Sequence, residues 1–282
     1  MSDSPLKEML HKQEKESVFI LLDGAIFPAM QTIYDYEPSP QVSPIYYGTR
    51  HEASIDVSPC LYKPKAKSKI WDHESDWRKN GIVIVSAYSF FEVLEYLQSL
   101  ISVRLPNDQI AYWRFYSPEW FSKVMSSMSN EEFSSFNDPV SQWAAYADGH
   151  WELYSSTSHN FYEAKKEEGW FQLSENCINK IKSVKKRDFY IHLEETLTKE
   201  INEKNIEEIC RKDIVNIVSM AESLGFKSNS EIEWFTIVSY KYPDLMKRAG
   251  VKELIEDTKV AALERQFKVE EAIWGIEAER VD

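Results

Sequence analysis

Glycine is scarce, at eight residues in 282, and no Gly-x-x-x-x-Gly-Lys-Ser/Thr or Gly-x-Gly-x-x-Gly run occurs. Phosphate-cradling loops of those kinds are excluded. There are three cysteines, Cys60, Cys177 and Cys210, an odd and widely spaced set that makes no disulfide framework and suits a reducing compartment. No apolar run approaches the roughly 18–20 residues that span a bilayer. The stretch Met1 to Ser17 is polar and lacks the apolar segment of a secretory leader. Positive charge is also short: 33 Lys and Arg stand against 46 Asp and Glu, for a net charge of −13. That field repels phosphate backbones and anionic lipid, so nucleic acid and membrane are not expected partners. A cytoplasmic protein is the expectation.

Metal and nucleophile signatures are missing as well. None of His11, His51, His73, His150, His159 and His192 falls in a His-x-x-x-His pattern, no Cys-x-x-Cys occurs, and there is no Gly-x-Ser-x-Gly elbow. Asp72, His73, Glu74 and Asp76 lie close in sequence but read as a solvated loop. No metal, cofactor or catalytic group is expected. Cys177 and Cys210 read as small core hydrophobes.

Aromatics, by contrast, are abundant, with 14 Phe, 15 Tyr and 9 Trp. Residues 1–164 hold 27 of these 38 and ten of the eleven prolines, whereas residues 165–282 keep one proline, Pro243. This composition divides the chain into a polar tail (1–17), a mixed α/β domain (18–164) and a helical domain (165–282).

Within the first domain, Val18–Leu22 and Ile82–Val85 are uninterrupted apolar runs expected as buried strands. Ala25–Tyr36 has helical spacing, and Ile45–Tyr47, closed by Gly48, is expected as a short strand. Phe90–Ile101 is amphipathic. Val103–Leu105 and Ile110–Tyr116 read as a hairpin around Pro106-Asn107-Asp108. Pro118 opens a helix, Ser129-Asn130-Glu131-Glu132 resembles a capped helix start, and Gln142–Tyr154 turns at Asp148-Gly149.

The second domain carries helical periodicity over Leu173–Lys199 and over Asn205–Leu224, stopped by Gly225. A further helix is capped by Ser228 or Ser230, and the last runs from Asp257 or Thr258 through Ile276. The fold expected is α+β or mixed α/β, with a bundle of about four or five helices following the sheet domain.

Asp23 ends the first strand, where haloacid-dehalogenase-type phosphotransferases carry their nucleophile. Those enzymes need a second carboxylate two residues on, and Ala25 stands there, so Asp23-Gly24 reads better as a turn. Arg104 and Arg114 are expected in adjacent strands as partners of buried carboxylates, Asp23 being one candidate. Lys63, Lys65, Lys67 and Lys69 read as a solvated loop.

Several segments in order resemble the type VI secretion effector chaperones, or adaptors, whose shared N-terminal domain is catalogued as one of unknown function. They are Leu21-Leu22-Asp23-Gly24-Ala25, Phe27-Pro28, Pro44-Ile45-Tyr46-Tyr47-Gly48-Thr49, Asp56-Val57-Ser58-Pro59, Gly81-Ile82, Ser89 with its helix, and Val103-Arg104. The most specific is Arg114-Phe115-Tyr116-Ser117-Pro118, where members usually read Arg-Phe-Tyr-Asp-Pro; Ser117 departs from that Asp, and either residue can cap the helix beginning at Pro118. The resemblance covers about residues 18–145, and Ala221–Phe226 is similar to a helical segment often found behind that domain. It implies a non-enzymatic protein of the Gram-negative cytoplasm that binds a secreted toxic effector and delivers it to the VgrG spike protein. One part would grip the effector, the other would brace or dock. The alternatives are a phosphatase-like or hydrolytic enzyme centred on Asp23 and a toxin-neutralising immunity protein.

Overall fold

Six residues, Ser17–Leu22, form β1, and its apolar run is explained by neighbours on every side. Strand β3 (Cys60–Lys63) pairs along one edge of β1 and β4 (Gly81–Ser86) along the other, both antiparallel. With β2 (Gln41–Pro44), β7 (Gln142–Ala147) and β8 (His150–Ser155) they make a six-stranded sheet in the order β2-β3-β1-β4-β7-β8. All its pairings are antiparallel. In sequence between β4 and β7 comes a separate ribbon of β5 (Ser102–Arg104) and β6 (Ile110–Tyr112). The computed structural model describes residues 6, 16–65, 67–155, 167–202, 211–244 and 246–278.

The pleat sends successive side chains to opposite faces. Phe19, Leu21, Ile82 and Ile84 enter one core, under helices α3 (Phe90–Ser99), α4 (Pro118–Ser127) and α5 (Asn130–Asn137). Ile20, Leu22, Val83 and Val85 enter the other, covered by α1 (Ala29–Tyr36), Ile70 and the short α2 (Glu74–Trp77). The architecture is α+β, a sheet clad on both faces, followed by a helical region.

Local chemistry explains most boundaries. Ser89 and Ser129 accept from the backbone N–H of Glu92 and Glu132, whose carboxylates return the bond, so α3 and α5 each start in a capping box. Asp148 and Gly149, both at positive φ (48° and 85°), turn β7 into β8. Four expectations are corrected. Ile45–Tyr47 is a turn, and the strand lies just before it at Gln41–Pro44; Pro44 is tolerated because β2 is an edge strand, where a missing N–H costs little. Lys63 is the end of β3 rather than part of a loop. The strand expected over Ile110–Tyr116 stops at Tyr112, and the helix expected from Ala25 starts at Ala29, after a turn.

Contacts divide the chain into two compact units, Met1–Lys182 and Ser183–Asp282. The first unit therefore continues beyond the compositional change at residue 164: Phe171, Leu173 and Cys177 belong to its core, with Trp113 and Phe171 stacked at 5.6 Å. Helix α6 (Glu175–Asn202) starts in it. The second unit packs Tyr190, Leu193 and Leu197 of α6 with helices α7 (Arg211–Ser223), α8 (Asn229–Lys241), α9 (Ala249–Glu256) and α10 (Ala262–Ala278).

Gly225 (φ 83°) ends α7, with the Phe226 N–H donating back to the Ala221 carbonyl, and Ser228 with Glu231 forms the capping box of α8. The last helix begins at Ala262, not at Asp257 or Thr258, because the Asp257 carboxylate accepts the Lys259 N–H in a turn that closes α9. Among the described residues, no helix is long and apolar enough to cross a membrane.

Candidate functional site

Asp23 follows β1 directly and is fully buried. Its N–H donates to the Asn80 carbonyl at 2.8 Å, and its Oδ1 accepts the Ala25 N–H at 3.0 Å, fixing the turn. Oδ2 receives both Nε (2.8 Å) and Nη2 of Arg114, whose side chain is 36% exposed. Burial alone would lower the Arg114 pKa, but the bonds to Asp23 outweigh it and hold the guanidinium above its ordinary value. Both carboxylate oxygens that could serve a nucleophile are thus turned to structure. Gly24 is pressed against the next segment: a Cβ there would lie 2.1 Å from the Ser58 carbonyl oxygen. Beside it, Gly24, Phe27, Pro28, Pro44, Ile55 and Cys60 line a cleft of about 330 Å³.

Next to the ion pair, the hydroxyls of Tyr46, Tyr112 and Tyr116 meet in a three-way cluster, Tyr46 to Tyr116 being 3.2 Å. Burial, then the bond from Tyr112, raises the Tyr46 and Tyr116 pKa far above the ordinary phenol value, so both stay neutral hydrogen-bonding groups. Phe115 and Tyr116 are core residues, and buried Pro118 is the first residue of α4.

The Tyr46 backbone is held by Ser58 Oγ (3.0 Å) and by Thr49, which donates to the Tyr46 carbonyl through Oγ1 at 2.7 Å. Gly48 supplies a positive φ of 71°. This tight loop projects Tyr47, 62% exposed, while Gln98 of α3 donates to the Tyr47 carbonyl at 2.8 Å. Tyr112 and Ile110 are also exposed, at 52% and 43%.

A second knot joins this loop to the stretch preceding α6. Glu168 accepts from His51 Nε2 (2.8 Å), Arg50 Nη2 (2.8 Å) and Ser102 Oγ. Burial pushes its carboxyl up, but these bonds together prevail and leave its pKa below the ordinary value. A depressed carboxylate stabilises the fold above its unfolded pKa, and the contribution fades as pH falls through the folded one. Glu168→Gln is therefore expected to lower stability at pH 7 and to flatten its decline below about pH 4.5, read from urea midpoints across pH.

Of the two arginines, Arg114 meets Asp23, from a turn rather than a strand. Arg104 instead engages through its backbone, its N–H donating to the Phe171 carbonyl and its carbonyl accepting the Leu173 N–H. Of Asp72, His73, Glu74 and Asp76, only His73 and Asp76 meet, at 3.5 Å; Asp76 also accepts from the Tyr36 hydroxyl at 2.7 Å, and Glu74 accepts from Trp151 Nε1 at 2.7 Å. Among the described residues, no group of three His, Cys, Asp or Glu is placed to hold a metal; His11, His159 and Cys210 lie outside them.

Cys60 and Cys177 are free and buried, and burial pushes their thiols up to about 12 and about 11. Iodoacetamide at pH 8 is expected to leave both unmodified in native protein and to alkylate both in guanidinium, as peptide mapping would read. Sequence reasoning misses Tyr46, Tyr112, His51 and Glu168 as members of the site. Tyr112, close to Arg114-Phe115-Tyr116, has a nearby motif to point to it, but Glu168 lies 117 residues from His51 and has no local signal.

The geometry is that of a braced loop displaying aromatic side chains. Residues 18–135 match the family model described as Domain of unknown function (DUF4123), a stretch that includes Asp23, Gly24, Pro28, Tyr47, Gly48, Thr49, Arg104 and Arg114 to Pro118. No curated protein and no solved structure matches the chain.

Proposed function

We propose that this chain is a cytoplasmic adaptor of a type VI secretion system, binding a toxic effector and loading it onto the VgrG spike protein. One observation carries the reading: the residues by which the first unit resembles the adaptors build and brace a surface, and do not present a reactive group. Asp23 and Arg114 lock the end of β1, Gly24 permits close packing on Ser58, and Tyr116 supports Tyr46. What that frame leaves outward is Tyr47, Arg50, Ile110 and Tyr112. Tyr anchors protein interfaces because it covers much area with few rotamers to freeze, and Arg because its planar guanidinium offers several donors in a fixed fork.

The buried Asp23 supports this reading over a phosphatase centred on it. A transphosphorylating carboxylate needs a free oxygen facing substrate, whereas both of Asp23's oxygens are taken. The net charge of −13 would add steering toward a basic effector segment or spike surface, an effect that fades with salt.

The test is a pull-down of effector with the spike protein, with and without this chain. Effector recovery on the spike should require it. Tyr47→Ala/Tyr112→Ala should cut recovery by about tenfold, the loss of one to two anchor side chains. Equal recovery in the absence of the chain ends the adaptor reading.

A further inference from the structure

Helix α10 has two apolar faces, and the second unit uses only one. Val269 and Ile273 are buried in its core, and so is Arg265, whose guanidinium lies 4.5 Å from the Phe226 ring centre and donates to the Ile255 carbonyl. On the opposite side Leu263 (67% exposed), Phe267 (62%) and Trp274 (66%) stand in water. Their spacings of four and seven residues place all three within a narrow stripe, at 3.6 residues per turn. Exposed single hydrophobics are ordinary; three large ones aligned along one helix mark a contact surface.

The charges beside the stripe select its occupant. Glu264, Glu270 and Glu271 flank it, against Lys268, which is committed to Glu264 at 2.7 Å. Among the described residues, Glu270 takes only the neutral Gln266 amide, and the cation that Glu271 feels is Lys268, already paired with Glu264. A second copy of this helix would set glutamates against glutamates, a like-charge arrangement that weakens association. A helix with an apolar seam and Lys or Arg beside it satisfies both features.

We infer that the outward face of α10 is a docking surface for a cationic amphipathic helix of a partner protein, with Leu263, Phe267 and Trp274 as anchors and Glu270 and Glu271 as the charged rim. The mode is helix on helix, read at i, i+4 and i+11. This inference goes beyond the adaptor reading and is tested without the effector or the spike.

The probe is a fluorescein-labelled 18-residue peptide of leucine and lysine in an amphipathic helical pattern, titrated into the full chain and followed by anisotropy. A second peptide has glutamate for lysine. The lysine peptide is expected to bind and the glutamate peptide not. Phe267→Ser/Trp274→Ser should weaken binding at least about tenfold, and Glu270→Lys/Glu271→Lys should do so without touching the apolar stripe. Far-UV circular dichroism checks that each variant keeps its helix content; should the serine pair unfold the second unit, the lysine pair alone decides.

Equal binding by wild type and the folded variants overturns the inference, as does equal binding of both peptides or binding of neither. Light scattering that shows a dimer dissolved by Phe267→Ser/Trp274→Ser overturns it in favour of self-association.

Discussion

Arg114→Leu is expected to cost the first unit about 3 kcal/mol, more than Asp23→Asn, which should cost about 1 to 2. The asymmetry follows from exposure. Asp23 is fully buried, so without Arg114 its charge stays in a poorly polarisable site with only the Ala25 N–H to answer it. Arg114 is 36% exposed, so without the carboxylate its guanidinium can turn to water. Asn at position 23 also keeps an oxygen for the Ala25 N–H. The double variant should be less damaging than the two single losses added together, since each removes the same contact.

Urea unfolding followed by tryptophan fluorescence is the measurement. Seven of the nine tryptophans lie at or before residue 182, so the signal reports mainly on this unit, which matters because a two-unit chain need not unfold in one step. An Asp23→Asn variant as damaging as Arg114→Leu would show that the difference in exposure between the two partners does not set the cost of losing either.

Gly24→Ala should be at least as severe. The added methyl would fall 2.1 Å from a backbone oxygen, and no rotamer change can move a carbonyl of the segment behind β3. Overpacking of this kind costs about 1–3 kcal/mol where neighbours give way, and more where the obstacle is main chain. The turn at Asp23 would have to shift as well, loosening the Arg114 contact. The expected result is a protein that loses near-ultraviolet circular dichroism from its packed tryptophans at 37 °C while the helices of the second unit persist in the far ultraviolet. A wild-type melting profile for Gly24→Ala would show that Gly24 is not pressed on Ser58 as described.

Features with a local cause can be read from the residues alone. The Ser-x-x-Glu start at Ser129, the Asp148-Gly149 turn and the Gly225 stop each follow from chemistry within a few positions, and each stands where that chemistry puts it, whereas the next helix offers Ser228 and Ser230 equally and the structure uses Ser228. The buried strands β1 and β4 are legible because a continuous apolar run has few other uses.

Strand β3 is not, because Cys60-Leu61-Tyr62 is too short a run to stand out between Pro59 and Pro64. Helix α9 is not either, since its two buried residues, Val251 and Ile255, make too little periodicity over eight positions. At the site, the charge match of Asp23 with Arg114 can be guessed as one of two pairings. The tyrosine cluster and the Glu168 knot cannot, since tertiary packing alone brings Tyr46 to Tyr112 and Glu168 to His51.

The order of strands in the sheet also bears on how this protein can be cut. The family match ends at residue 135, yet β7, the partner of β4, begins at Gln142, and Phe171, Leu173 and Cys177 fill the same core. A truncation at the end of the recognised segment would strip one long edge of β4 and open the hydrophobic interior to water, producing a sticky, aggregating polypeptide. The matched segment and the compact unit are therefore different lengths, and a fragment meant to keep this core closed has to be carried to about residue 182.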